Sequence, residues 1–67
     1  MNKYHRRRER IAAEVRLIVA GAPPEPAKRQ GYVIERCLAL EDAGWAQADY
    51  RQVEEQVRTR LGLPQWS

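Results

Sequence analysis

The fold of this chain is decided by residues 26–45, which read PAKRQGYVIERCLALEDAGW. Proline suits the first turn of a helix, where its missing N–H would have no partner, and glycine suits the position just past a helix end. Between these two signals, apolar residues recur at helical spacing: Val33, Ile34, Cys37, Leu38 and Leu40, flanked by Tyr32 and Ala39. The stretch predicts an amphipathic helix over 26–43. Its apolar arc is the widest in the chain, so we expect this helix to lie centrally.

A similar segment lies on each side. Residues 3–20 predict a helix with one apolar stripe, formed by Tyr4, Ile11, Val15, Ile18 and Val19. Residues 46–61 predict a third helix with a narrower stripe, formed by Ala46, Tyr50, Val53, Val57 and Leu61. An alternative start of this third helix is Asp49, because Asp49 and Gln52 are three residues apart and so have the spacing of a capping box. Each helix is expected to end at a left-handed glycine, namely Gly21, Gly44 and Gly62.

No window alternates apolar and polar residues, so no strand is predicted. Short connections make successive helices antiparallel neighbours. The expected architecture is a single all-α domain over 1–67, a small three-helix bundle built from an antiparallel helical hairpin and a third helix. A chain of 67 residues buries little core. The alternative is therefore a homodimer in which the third helix completes the core.

Positive charge is concentrated at the start of the chain. The formal charge is +3, and residues 1–10 hold Lys3 and four arginines, Arg6, Arg7, Arg8 and Arg10, against a single acid, Glu9. Bases in the first turn of a helix oppose its dipole, so the basic end at 3–10 calls for another explanation. In one, these arginines bind an anionic surface such as nucleic-acid phosphate, and Tyr4 adds stacking. In the other, they pair across the hairpin with Glu41 and Asp42, with Arg6 opposite Glu41.

Aromatic residues give the second indication of a binding surface, because tryptophan, tyrosine and arginine often dominate interface energies. Trp45 and Leu63 each follow a predicted helix-ending glycine and are expected to pack back onto the preceding turn. Trp66 lies in the short tail 62–67, where it either covers the end of the core or anchors another chain. The predicted partner-binding residues are Arg6, Arg7, Arg8, Arg10, Tyr4, Trp45 and Trp66.

The sequence holds no pattern that indicates a reaction. Cys37 lies on the apolar arc and is expected to be a reduced core residue. One cysteine beside one histidine, His5, cannot form a metal cage, and no glycine-rich phosphate loop is present. We therefore expect no enzyme activity, no cofactor and no metal site.

Residues 36–56 also show the spacing of a weak helix-turn-helix, with Gly44 in the turn. The face directed to DNA would hold Ala46, Gln47, Ala48, Arg51, Gln52 and Glu55. Residues 46–61 carry three arginines and three carboxylates, and carboxylates near phosphates are repelled. This balance disfavours specific DNA binding.

The leading hypothesis is a small non-catalytic interaction protein that binds the surface of a larger macromolecule, most simply a protein, as a regulator, adaptor or inhibitor. Its size also suits an inhibitor of a host machine carried by a mobile element such as a phage or plasmid. The alternatives are a nucleic-acid-binding regulator and a self-assembling structural component. The basic start is followed by an apolar run broken by Glu14 and Arg16, which opposes a signal peptide. We expect a cytoplasmic protein that does not bind membranes.

Overall fold

The computed structural model describes residues 3–65, with side chains from residue 5 onward, and these residues form three helices. They are α1 (Lys3–Ala20), α2 (Pro26–Asp42) and α3 (Gln47–Leu61). Residues 3–65 contain no strand, so the all-α three-helix bundle is confirmed. The alternative start of the third helix at Asp49 is wrong: Ala46 is the extended N-cap, and Asp49 falls in the first turn, where its charge complements the helix dipole. None of the described helices is long and apolar enough to cross a membrane.

Two of the three predicted glycine caps are confirmed. Gly44 has φ +92° and Gly62 has φ +71°. The next residue in each case donates its N–H back across the last turn, from Trp45 to the Leu40 carbonyl at 3.0 Å and from Leu63 to the Arg58 carbonyl at 2.8 Å. These are the six-to-one bonds of the Schellman motif. α2 and α3 therefore end as the glycines predict.

Gly21 is the exception, because its φ is not positive. Its N–H donates to the carbonyls of Leu17 and Ile18, both at 3.2 Å. The hydroxyl of Tyr32 donates to the same Ile18 carbonyl at 2.6 Å. A Cβ on Gly21 would lie 2.9 Å from that hydroxyl. Glycine at this position leaves room for the Tyr32 hydroxyl and does not serve as a left-handed cap.

The core is formed by eight buried residues from all three helices: Ile11, Val15, Ile18, Val33, Cys37, Leu40, Val53 and Val57. The backbone of α3 approaches both other helices closely, whereas α1 and α2 approach each other less closely. Side chains bridge α1 and α2, as in the 3.7 Å ion pair between Glu14 and Arg36. The prediction that the second helix lies centrally is therefore wrong. The small valines of α3 allow two neighbours to come near.

Two glycine substitutions test this account of the first helix end. Gly21→Ala should lower the free energy of unfolding by about 1 kcal/mol, because the new methyl displaces the Tyr32 hydroxyl from its carbonyl. Gly31→Ala, inside α2 with no atom within 4 Å of the new methyl, should raise it by about 0.5–1 kcal/mol. Urea denaturation measures both. A shift of the same sign in the two variants would contradict the assignment, and a Tyr32→Phe background should shrink the Gly21→Ala loss.

Candidate functional site

Two arginines of the basic end bind within the protein. Arg7 Nε donates to Asp49 Oδ1 in the first turn of α3. The guanidinium of Arg10 lies over the Trp45 ring, 3.8 Å from its centroid. Arg7 and Arg10 are three residues apart and share one face of α1, so both reach the α2–α3 connection. These contacts attach the N-terminal half of α1 to the start of α3.

The predicted pairing of the basic end with Glu41 and Asp42 is wrong in its partners. No ion pair joins the arginines at 6–8 to these acids in the described part of the chain, and Glu41 accepts a hydrogen bond from the Tyr50 hydroxyl at 3.1 Å. The reason is register. Contacts between α1 and α2 pair Ile18 with Tyr32 and Glu14 with Arg36. This register is shifted by three residues along α2 from the one that would set Arg6 opposite Glu41, so Arg7 extends past the end of α2 and reaches Asp49.

The other members of the predicted binding set are scattered. Arg6 and Arg8 are exposed on α1, but residues two apart in a helix point about 200° away from each other, so these guanidinium groups cannot converge on one phosphate. Trp45 is half-buried and packs against the core, as predicted. The side chain of Tyr4 and all of Trp66 lie outside the described residues, and their roles stay predictions.

A groove between α2 and α3 is the clearest candidate site. Its cavity volume is about 250 Å³, and it is lined by Ile34, Cys37, Leu38, Glu41, Tyr50 and Glu54. Ile34 is 37% exposed and Leu38 is 54% exposed, although both belong to the apolar arc that was expected to be buried. α3 covers this half of the arc only in part, through Tyr50 and Glu54. The groove was not foreseen from sequence.

Cys37 lines this groove while also belonging to the core, which confirms its predicted place. Burial, and to a lesser extent the negative charge of Glu54, raise the pKa of its thiol from 9.0 to about 11. A thiol with such a pKa is a poor nucleophile at neutral pH. Cys37 therefore acts in the groove as a packed apolar side chain and not as a reactive thiol.

The reactivity of Cys37 checks this directly. At pH 8 the rise in pKa lowers the thiolate fraction about a hundredfold relative to the unfolded chain. Alkylation by iodoacetamide should be at least that much slower in the folded protein than in urea. The folded state also holds the proton more tightly, so stability contributed by the neutral thiol should decline as the pH rises from about 9 to about 11. Equal alkylation rates in the two states would contradict the assignment.

Arg58 is a buried charged side chain whose place in the fold was not predicted from the sequence, where it entered only the charge of the third helix. Its side chain is 1% exposed. Nη1 donates to Gln30 Oε1 at 2.7 Å and to the Pro64 carbonyl at 3.3 Å, and Nη2 donates to Glu54 Oε2 at 3.4 Å. One sequence signal was available, because Arg58 follows a stripe residue, Val57, and lies four residues after Glu54. Arg58 joins α2, α3 and the following segment, and it contacts Glu54, which lines the groove.

The remaining sequence hypotheses find limited support in the geometry. The α3 face assigned to DNA is exposed, with Arg51 and Glu55 both on it, so its charges balance. Within residues 5–65, no three His, Cys, Asp or Glu side chains are grouped to hold a metal ion. No protein-family model, curated protein or solved structure matches the chain.

Proposed function

We propose that this chain is a non-catalytic interaction protein that binds a helix of a partner protein in the groove between α2 and α3. The observation that carries the proposal is the exposure of Ile34 and Leu38 beside an apolar cavity of about 250 Å³. Full burial of a leucine or isoleucine side chain contributes about 1.5–3 kcal/mol, and a partner that covers the exposed 37% of Ile34 and 54% of Leu38 would gain the corresponding fraction. The protein would act as a regulator, adaptor or inhibitor by occupying a surface of its partner.

The lining of the groove supports this proposal, because it is mainly apolar and runs along two helices. Partner helices commonly insert residues spaced by three or four positions into an apolar groove. Ile34, Leu38 and the ring of Tyr50 offer apolar contacts, and the Tyr50 hydroxyl is turned aside onto Glu41. We place this activity in the cytoplasm, where a free buried thiol such as Cys37 stays reduced.

Nucleic-acid binding through the basic end is the second candidate. Arg6 and Arg8 support it, because both are exposed and neither forms an ion pair among the described side chains. The engagement of Arg7 and Arg10 with Asp49 and Trp45 reduces the positive surface that remains for phosphate. We rank this function second for that reason.

Affinity capture with matched variants tests the leading proposal. The bait is the full chain in a nuclease-treated lysate of its own organism, as the wild type, as Ile34→Ser/Leu38→Ser, and as Leu17→Ser. Leu17 is a suitable control because it is 65% exposed on α1 and does not line the groove. A partner captured by the wild type and by Leu17→Ser, and lost with the groove variant, is the expected result. Capture that is insensitive to the groove variant would refute the proposal.

Salt dependence tests the second candidate. If Arg6 and Arg8 neutralise duplex phosphates, the logarithm of the binding constant should fall by about 0.9 per phosphate with the logarithm of salt concentration. Arg6→Ala/Arg8→Ala should then reduce that slope. Undetectable duplex binding at physiological salt would end the nucleic-acid function. Sedimentation of the same samples shows whether the chain self-associates, as the structural-component alternative requires.

A further inference from the structure

The groove has a direction, set by the antiparallel pairing of α2 and α3. On α2 its lining residues stand at positions i, i+3, i+4 and i+7: Ile34, Cys37, Leu38 and Glu41. On α3 they stand one turn apart, as Tyr50 and Glu54. The hydrogen bond from Tyr50 to Glu41 joins the two helices at one end, while Ile34 marks the other end. A helix laid in this groove would pack on two neighbours, as the fourth member of a four-helix bundle does.

Charge distinguishes the two ends. α2 finishes with Glu41 and Asp42, and its last turn holds no base to offset the negative end of the helix dipole. The hydrogen bond from Tyr50, together with the charge of Glu41, raises the pKa of the Tyr50 hydroxyl, so this group stays a neutral donor. Glu54 differs from Glu41, because the buried guanidinium of Arg58 compensates its charge. Arg51 acts on Tyr50 in the opposite sense but does not line the groove, so Glu41 and Asp42 make this end the more negative one.

We infer that the groove binds a cationic amphipathic helix whose apolar pair at i and i+4 contacts Ile34 and Leu38 and whose lysine or arginine faces Glu41. This inference rests on the proposed function and specifies the chemistry of the partner. The cation on the partner complements Glu41, Asp42 and the carboxyl end of α2, and the apolar pair covers the side chains that α3 leaves exposed.

A second copy of this chain is a poorer occupant. If two copies apposed their α2 stripes, each would bring Glu41 and neither would bring a base, because the lining residues include no lysine or arginine. Carboxylates would then enter the interface without a counter-charge. An acidic partner helix meets the same difficulty at the Glu41 end.

A display selection followed by affinity measurements tests the inference. The probe is a library of 18-residue helical peptides on an alanine framework, with one face randomised, selected on the folded full chain. Enriched peptides should carry two apolar residues at i and i+4, and a lysine or arginine on the same face. Their affinity is then measured by fluorescence anisotropy on the wild type and on variants.

The variants separate the apolar contacts from the charge. Leu38→Ser should weaken binding about tenfold or more, and Glu41→Gln, which keeps an acceptor for Tyr50, should weaken it about fivefold at low salt and less at high salt. The controls Leu17→Ser and Glu55→Gln, both outside the groove, should stay within about twofold. Circular dichroism confirms that each variant is folded.

Each other outcome has a definite meaning. Peptides that depend on Leu38 but are acidic or indifferent to Glu41→Gln overturn the cationic partner and leave the proposed function standing. Absence of enriched peptides, or binding indifferent to Leu38→Ser, overturns the inference, and the capture experiment then decides the proposed function separately. Self-association that Leu38→Ser abolishes, and that competes with the peptides, identifies a second copy as the occupant and also overturns the inference.

Discussion

Arg58→Ala is expected to lower the free energy of unfolding by about 3 kcal/mol, the largest loss from any single substitution considered for this protein. Removing the guanidinium leaves Glu54 charged and only 18% exposed, and leaves Gln30 and the Pro64 carbonyl without their donor. Breaking a buried ion pair from one side typically costs 3–5 kcal/mol. The total stability of a domain this size is about 3–10 kcal/mol, so the variant should be close to unfolding at 37 °C.

Chemical denaturation followed by circular dichroism measures this loss, and two further variants interpret it. Arg58→Met leaves Glu54 and Gln30 without the guanidinium, as Arg58→Ala does, but it keeps the packing of the apolar stem, so it should lose somewhat less. Arg60→Ala, an exposed arginine in the same last turn of α3, should change stability by less than about 0.5 kcal/mol. A loss below 1 kcal/mol for Arg58→Ala would show that the buried contacts contribute little.

Trp45→Ala carries the second-largest expected loss, about 2 kcal/mol. The ring is half-buried against the core, follows the glycine that ends α2, and supports the guanidinium of Arg10 at 3.8 Å. The loss of its apolar contacts accounts for most of this figure, and the cation–π contact for about 0.5–1 kcal/mol. Thermal unfolding followed by circular dichroism reports the change without relying on tryptophan fluorescence.

A double-mutant cycle isolates the contact between Arg10 and Trp45. The sum of the losses in Arg10→Ala and Trp45→Ala should exceed the loss in the double variant by about 0.5–1 kcal/mol. Arg8→Ala serves as the matched control, because this arginine is exposed on the same helix and lies outside the contact. Additivity within about 0.3 kcal/mol would mean that Arg10 passes over the ring without stabilising it.

Local features of the fold were predictable because they depend on neighbours in the chain. Proline at the start of α2 and glycine after α2 and α3 act within a few residues, and helical spacing of apolar side chains identifies each helix without knowledge of the others. Gly21 looked the same in sequence, but its role depends on Tyr32, which lies on another helix. Such a contact is invisible until the register between helices is known.

The packing order and the site depended on that same missing information. The width of an apolar arc indicates how much surface a helix can bury, but it does not indicate which other helix packs against that surface. Small side chains on α3 let it take the central place, and Ile34 and Leu38 were left exposed as a result. The ion pair between Arg7 and Asp49 was not predicted, because it depends on the register of α1 against α2. A shift of three residues in that register brings Arg7 to Asp49 and away from Glu41 and Asp42.

The central position of α3 has a consequence for biosynthesis. α1 and α2 are translated before the surface on which both pack, which includes Val53 and Val57 of α3. A nascent chain that has emerged only as far as α2 holds two amphipathic helices with their apolar faces open to water, and chaperones recognise such faces. The core shared by the three helices is therefore complete only after residue 61 has left the ribosome.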